Sequence, residues 1–314
     1  MSQISSTPPA ATVAQSASNP STFTPQSPFD ETGDVILRSS DGVDFRVHQV
    51  VMSLASPIFA TMFTLPQPEK DPEPINMPES AVVLDQMLRF WYPGTEPLTI
   101  ESLEELHAVV EILISKYDVQ SAVYTAKSHV REYLKTEPVA VYAIACTQGW
   151  EDLARTAARE SLKHPIRVFD YDAAQSLKHI TADAYHRLMQ YHYLCGTAAK
   201  GVTTSLRWVT APNNWVWFSC RSCTTSPTGW YLSDGQAYPT RLWFTNFRTS
   251  VGEALSRTPG ISLLDSNLLP PALKEASKCS VCREQVHEQL FNWVSTALSP
   301  KVQELINGVQ LKFT

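Results

Sequence analysis

The feature that most constrains this chain is a repeated cysteine spacing. Cys220 and Cys223 form one C-x-x-C pair and Cys279 and Cys282 another, with 55 residues between them. A C-x-x-C turn presents two thiolates to one face of a tetrahedral ion, and two such turns fill a four-sulfur shell. The two turns meet only if residues 224–278 fold back to their own start, around a helix predicted at 241–256. A second helix, carrying Val286, Leu290, Trp293 and Ala297 on one face, leads out of the second turn.

Other uses of four cysteines fit less well. The N-terminus lacks the basic-then-apolar pattern of a secretory signal, which disfavours disulfides. A redox C-x-x-C needs one pair and a thioredoxin-like context, which is missing. An iron–sulfur cluster also takes four thiolates, but zinc is the default for such pairs in an otherwise ordinary intracellular protein, cytoplasmic or nuclear. The expectation is a structural Zn²⁺ held by Cys220, Cys223, Cys279 and Cys282. A filled shell leaves no place for a catalytic water, so a zinc hydrolase is disfavoured. His192 and Cys195, three apart on a predicted helix over 183–200, could share a metal, but a buried thiol beside a core histidine is the commoner arrangement.

Composition narrows the function classes. With 11 glycines in 314 residues, no phosphate-cradling glycine run is present. No apolar run approaches the roughly 18 residues a membrane helix needs. The net charge of −6 disfavours a nucleic-acid-coating protein. The charge is uneven: none over 1–28, net −9 over 29–135 and net +3 over 136–314. Trp208, Trp215, Trp217, Trp230 and Trp243 crowd one stretch, with Arg207, Arg221, Arg241 and Arg248 among them. Such a cluster could stack bases. With only four basic residues and one acidic residue over 201–250, a domain core is the better reading.

The N-terminal half reads as a small mixed domain behind a Ser/Thr/Pro-rich tail. Residues 1–28 hold eleven Ser/Thr and five Pro, too little apolar surface to offset ordering entropy. Val35 and Leu37 alternate, Asp41-Gly42 supplies turn chemistry, and Val43, Phe45 and Val47 alternate again, a hairpin pattern. A helix starts at His48, and Ser56-Pro57 caps the next, with Ile58, Phe59, Met62 and Phe63 as its apolar face. Residues 64–74 read as loop and Ile75–Met77 as a short strand. Ser80 caps a helix carrying Leu84, Met87, Leu88 and Trp91, which ends at Tyr92-Pro93-Gly94. Ser102 and Glu105 form a capping box ahead of Leu103, Leu106, Val110, Leu113, Ile114 and Tyr117. Val119, Val123, Val130 and Leu134 mark a further stripe.

These residues resemble a BTB/POZ domain. The stretch DVILRSSDGVDFRVHQVVMSLASPIFATMF has the family's opening: Asp34-Val35 on the first strand, His48 at the helix start, and Ser56 with Phe59. INMPES followed by MLRFWYPG is similar to the family's third strand and the helix after it. The resemblance covers about residues 30–135, and the chain also resembles fungal BTB proteins in the stretch beyond. It implies a protein–protein interaction module without catalytic residues, and Asp34 and His48 are expected to make a structural hydrogen bond rather than acid–base chemistry. Three features depart from the family. Residues 1–28 show no helical stripe for a swapped N-terminal dimer. The loop after Phe63, with Glu69 among prolines, has no clean match to the apolar-x-Glu motif of cullin-binding members. Gln49 stands where several relatives are basic.

Beyond this domain, Pro138 starts a helical pair joined at Gly149, with Ala143, Ala145, Ala154, Ala157 and Ala158 permitting close approach. It resembles the BACK-type extension of longer members. The expected organisation is an α+β chain: a disordered tail (1–28), a mixed α/β BTB/POZ domain (29–135), a BACK-like helical extension (136–200), and a small, zinc-stabilised, mostly helical aromatic-rich module (201–314). The expected function is non-enzymatic protein binding, with homo-oligomerisation through the BTB domain. Two specific roles are a substrate adaptor of a cullin-type ubiquitin ligase and an assembly factor. The alternative is a nucleic-acid-binding transcriptional regulator that uses BTB to oligomerise; a contiguous Arg/Lys face around Cys220–Arg248 would favour it. No membrane association is expected.

Overall fold

The computed structural model describes residues 23–65, 73–95, 100, 102–165, 180–210, 214–264 and 267–313. The remainder of the tail and most of the loop predicted at 64–74, including Glu69, lie outside the described residues. The chain divides into two compact units, Met1–Ala126 and Lys127–Thr314.

In the first unit, strands β1 (Val35–Arg38) and β2 (Asp44–Val47) pair antiparallel with Leu37 opposite Phe45. Both side chains are fully buried. Gly42, at φ +85°, takes the left-handed conformation the turn needs. β3 (Ile75–Asn76) joins the other edge of β1 in parallel. Helices α1 (Gln49–Ala55) and α2 (Pro57–Thr64) meet at Ser56. The Ser56 hydroxyl accepts the Phe59 N–H at 3.2 Å and donates to the Tyr117 carbonyl. Phe59 is fully buried and stacks on Tyr117, with ring centroids 4.9 Å apart. Ile58, predicted to share that face, is exposed, because successive helical residues point about 100° apart.

One of two expected caps differs from the sequence reading. Ser80 stands at the start of α3 (Ala81–Arg89), but its side chain makes no cap bond. Asp41, from the distant hairpin turn, accepts the Ala81 N–H at 2.8 Å instead. Ser102 does cap α4 (Leu103–Val110), accepting the Glu105 N–H at 3.2 Å. This helix continues through a widened turn, Glu111–Lys116. There Lys116 reaches buried Glu79 at 2.5 Å, and the Tyr117 hydroxyl donates to the same carboxylate at 3.0 Å.

The end of the expected tail is part of the fold. Phe29 is fully buried, its carbonyl accepts the Arg46 N–H at 2.8 Å, and Phe23 stacks on Phe45. The Ser/Thr/Pro count over 1–28 concealed Phe23, whose packing on Phe45, beside buried Phe29 at the start of the expected domain, offsets the ordering cost of residues 23–28. A short 3₁₀ turn leads into α5 (Val123–Glu132).

In the second unit, α6 (Pro138–Thr147) and α7 (Glu151–Ser161) fold back at Gly149, which sits at φ +70°. Ala143, Ala145, Ala154, Ala157 and Ala158 are all buried. The Tyr142 hydroxyl donates to the Ala184 carbonyl at 2.9 Å, fastening α6 to the long helix α8 (Ala182–Thr204). Helix α8 runs through position 200, where the sequence reading divided extension from aromatic module, and packs on α10 (Leu242–Arg257). Two glycines set this crossing. A Cβ on Gly196 would lie 2.7 Å from the Ser256 carbonyl oxygen, and one on Gly252 would collide with the Thr203 hydroxyl.

Between these helices the chain forms a one-turn helix α9 (Val216–Ser219) and a hairpin of β4 (Thr225–Tyr231) with β5 (Ala237–Arg241). Helices α11 (Leu269–Ala276), α12 (Ser280–Arg283), α13 (Val286–Trp293) and α14 (Ser299–Asn307) follow. A widened turn over Val294–Leu298 separates the last two. It rotates the apolar face, so Val294 and Leu298 are buried where the 3.6-residue period pointed to Ala297.

Two substitutions test this packing. Phe59→Ala should cost about 3–5 kcal/mol as a large-to-small core change, read as a lower denaturation midpoint of the full chain; an unchanged midpoint would place Phe59 outside the core. Gly196→Ala should cost about 1–3 kcal/mol through overpacking against backbone, whereas alanine at a free helical site would stabilise.

Candidate metal centre

The two C-x-x-C turns converge. All four sulfurs lie within 4.8 Å of one another, with Cys220 and Cys279 3.7 Å apart and Cys223 and Cys282 3.6 Å apart. A disulfide would need about 2.05 Å, and all four cysteines are free thiols. A tetrahedral ion with metal–sulfur bonds of about 2.3 Å has sulfur–sulfur edges of about 3.8 Å. The cluster therefore has the size and donor chemistry of a four-thiolate metal site.

Local structure explains the convergence. Cys220 follows α9, and Cys223 directly precedes the hairpin, whose far strand returns to Leu242; the Leu242 N–H donates to the Thr224 carbonyl at 2.9 Å. Arg241 is buried and donates to the Thr225 hydroxyl at 2.6 Å and the Phe218 carbonyl at 3.0 Å. On the other side, Cys279 is the N-cap residue of α12 and Cys282 lies within it. The Gln289 side chain on α13 accepts the Val216 N–H at 2.8 Å. On the same elements, Trp217 stacks on Phe244 at 4.9 Å, and both rings meet Trp293, at 5.9 and 5.5 Å. These aromatics pack as core. The hairpin was missed in the sequence because Pro227 and Pro239 interrupt both strands, which prolines tolerate only at edges; Asp234-Gly235 was its one readable signal.

The sulfurs differ in environment. Cys220 and Cys282 are buried, while Cys223 and Cys279 are partly exposed. Burial pushes the Cys223 thiol up to about 11 and raises Cys282 further. A hydrogen bond from the Cys282 backbone N–H pulls Cys279 down to about 7. Four neighbouring thiols cannot all ionise by themselves, whereas a bound divalent cation stabilises every thiolate it touches.

The other flagged groups have structural partners. The Asp34 carboxylate accepts the Gln49 N–H at 2.7 Å rather than pairing with His48. His48 Nδ1 and the Tyr92 hydroxyl are 2.5 Å apart, and that oxygen also accepts the His48 N–H at 3.0 Å. His192 and Cys195 are buried; His192 lies 3.4 Å from the His164 carbonyl, and burial pushes the Cys195 thiol up to about 11. Among the described residues, neither joins a cluster of three or more potential ligands.

With the three-stranded unit and the thiol cluster in view, comparison with known proteins assigns the first of them. Residues 24–134 match the family model of the BTB/POZ domain. The chain carries this protein–protein interaction and oligomerisation domain, mixed α/β as its elements show. A search of curated proteins gave no match. Among the described residues, no helix is long and apolar enough to cross a membrane.

Because ligation needs thiolates and the Cys223 thiol is raised to about 11, metal binding at neutral pH must release protons. Affinity should fall as pH is lowered from 8 to 6, measurable by competition with a chromogenic chelator. A pH-independent affinity would exclude thiolate ligation.

Proposed function

We propose that this chain is a non-enzymatic adaptor: the BTB domain engages a protein scaffold, and a zinc-stabilised module in the second unit presents a partner. The observation that carries the zinc reading is the cross-paired sulfur geometry, 3.7 and 3.6 Å, near the tetrahedral edge of about 3.8 Å. Cys220, Cys223, Cys279 and Cys282 would hold the ion, and four thiolates leave it a structural role. The helices of 127–204 serve as a BACK-like support for that module.

The surface of the first unit supports a binding role. Val50 and Leu54 lie one turn apart on α1 and are 62% and 84% exposed. Exposed apolar side chains at helical spacing suit a protein partner or a second copy. A cullin-type ubiquitin ligase scaffold is the partner we favour, with an assembly role as the variant of the same reading.

The distribution of arginines weighs against the regulator. Arg241 and Arg248, two of the four arginines in the aromatic stretch, are buried. Arg248 lies 3.5 Å from the centre of the Trp230 ring and donates to the Thr203 carbonyl. Buried cations cannot contact phosphates, which supply most nucleic-acid affinity.

Affinity capture of the full chain with mass spectrometry tests the adaptor reading. Enrichment of a cullin, lost on Leu54→Glu with an unchanged melting midpoint, is the expected result. Reproducible absence of cullins together with chromatin proteins would favour the regulator. Elemental analysis should give about one zinc per chain, since four thiolates complete one tetrahedral shell, and Cys279→Ser should abolish it. A metal-free protein that melts as the wild type does would overturn the zinc assignment.

A further inference from the structure

The four sulfurs are not equally accessible, and the asymmetry crosses the two turns. Cys223 from the first turn and Cys279 from the second both line one cavity of about 540 Å³, with Trp243 and Leu242 on its apolar side and Asn246 and Lys278 among its polar groups. Cys220 and Cys282 are buried and absent from its walls. Each accessible sulfur also has a buried neighbour in the opposite turn: Cys279 lies 3.7 Å from Cys220, and Cys223 lies 3.6 Å from Cys282. One cavity thus reaches one attacking sulfur from each turn, and a resolving sulfur stands directly behind each.

We propose that this centre is a thiol-oxidation site, entered through the cavity by a small hydroperoxide, where Cys279 and Cys223 react first and disulfides form across the turns as Cys220–Cys279 and Cys223–Cys282. It shares its four thiolates with the zinc reading above. In the first step the Cys279 sulfur attacks the near peroxide oxygen. The O–O bond breaks, the far oxygen leaves and takes a proton, and Cys279 becomes a sulfenic acid. Cys220 then attacks the Cys279 sulfur, the S–O bond breaks, and hydroxide leaves as water after protonation. Two thiols lose two electrons and one peroxide gains them, giving an alcohol, or water from hydrogen peroxide, plus one water. The same sequence at Cys223 and Cys282 consumes a second peroxide. Any ion held by the four sulfurs loses its ligands. The new bonds still join residue 220 to 279 and 223 to 282, so the two turns stay fastened without the metal. Disulfides inside each C-x-x-C would leave the turns unlinked.

The test treats the full-length protein with hydrogen peroxide while metal release is followed by absorbance of a chelator dye. A sulfenic-acid trap and non-reducing peptide mapping identify the products. Early trapping at Cys223 and Cys279, followed by the two crossed disulfides, is expected. First trapping at Cys220 or Cys282, disulfides within each C-x-x-C, or thiols that survive unmodified would each overturn the proposal. Asn246 is exposed on α10 at the cavity wall, so Asn246→Trp should narrow the entrance, preserve the melting midpoint and slow oxidation severalfold. Ser222→Trp, at another part of the wall, is the second such variant, and unaltered rates in both folded variants would overturn cavity entry. Metal content measured before peroxide separates this inference from the zinc reading. Crossed disulfides in a protein purified without metal uphold the oxidation site and sink the zinc, whereas a zinc-loaded protein giving internal pairs does the reverse.

Discussion

Trp217 lies flat on Phe244, with centroids 4.9 Å apart and planes 8° from parallel, and Trp293 closes the third side at 5.5 Å from Phe244. Trp217 stands one turn before Cys220, and Trp293 stands one helix beyond Cys282. The contact therefore fixes the distance between two cysteine turns that are far apart in sequence. Each aromatic side chain removes about 150–250 Å² from water, and three mutually packed rings give a rigid base rather than a hinge. The four sulfurs lie within 4.8 Å of one another. An ion held by these sulfurs would add to a core that aromatic burial already supplies.

Close backbone approach is the second constraint on this unit. Gly196 and Gly252 let α8 and α10 touch without intervening side chains. That proximity places Arg248 against Thr203 and beneath the Trp230 ring. Burial pulls the Arg248 guanidinium down to about 10; the ring face and the carbonyl partly replace the water it has lost. An arginine that looks like a nucleic-acid contact in the sequence is thereby committed to holding a helix and a hairpin together.

The first unit rests on a different principle, the sharing of caps between distant segments. Asp41 caps α3 from the hairpin turn, and Ser56 caps α2 while donating to Tyr117. Glu79 gathers Lys116 and Tyr117 at a buried position. Polar groups that could each have been satisfied locally instead cross-link elements 37 to 61 residues apart. On the same unit, Val50 and Leu54 of α1 stay exposed.

Legibility followed the range of the physics. Strand alternation at Val35–Arg38 and Asp44–Val47, the Ser56-Pro57 and Ser102 helix starts, the Gly149 joint and the two cysteine turns are encoded within a few residues, and all could be read from the chain. The family resemblance, confirmed over residues 24–134, rested on the same local patterns. The four clustered cysteines were legible because C-x-x-C spacing is itself a geometric statement. What the sequence could not decide was non-local. Asp41 rather than the Ser80 side chain bonds the start of α3 because the tertiary fold brings the hairpin turn to that helix end. Residues 23–29 join the fold because Phe23 and Phe29 find Phe45 and Tyr92. The widened turn at Val294–Leu298 shifts the buried face away from Ala297, and only the packed core dictates that shift. Which sulfurs face solvent was also beyond the sequence: all four cysteines look alike in the chain, and the tertiary structure alone buries Cys220 and Cys282 while leaving Cys223 and Cys279 at a cavity wall.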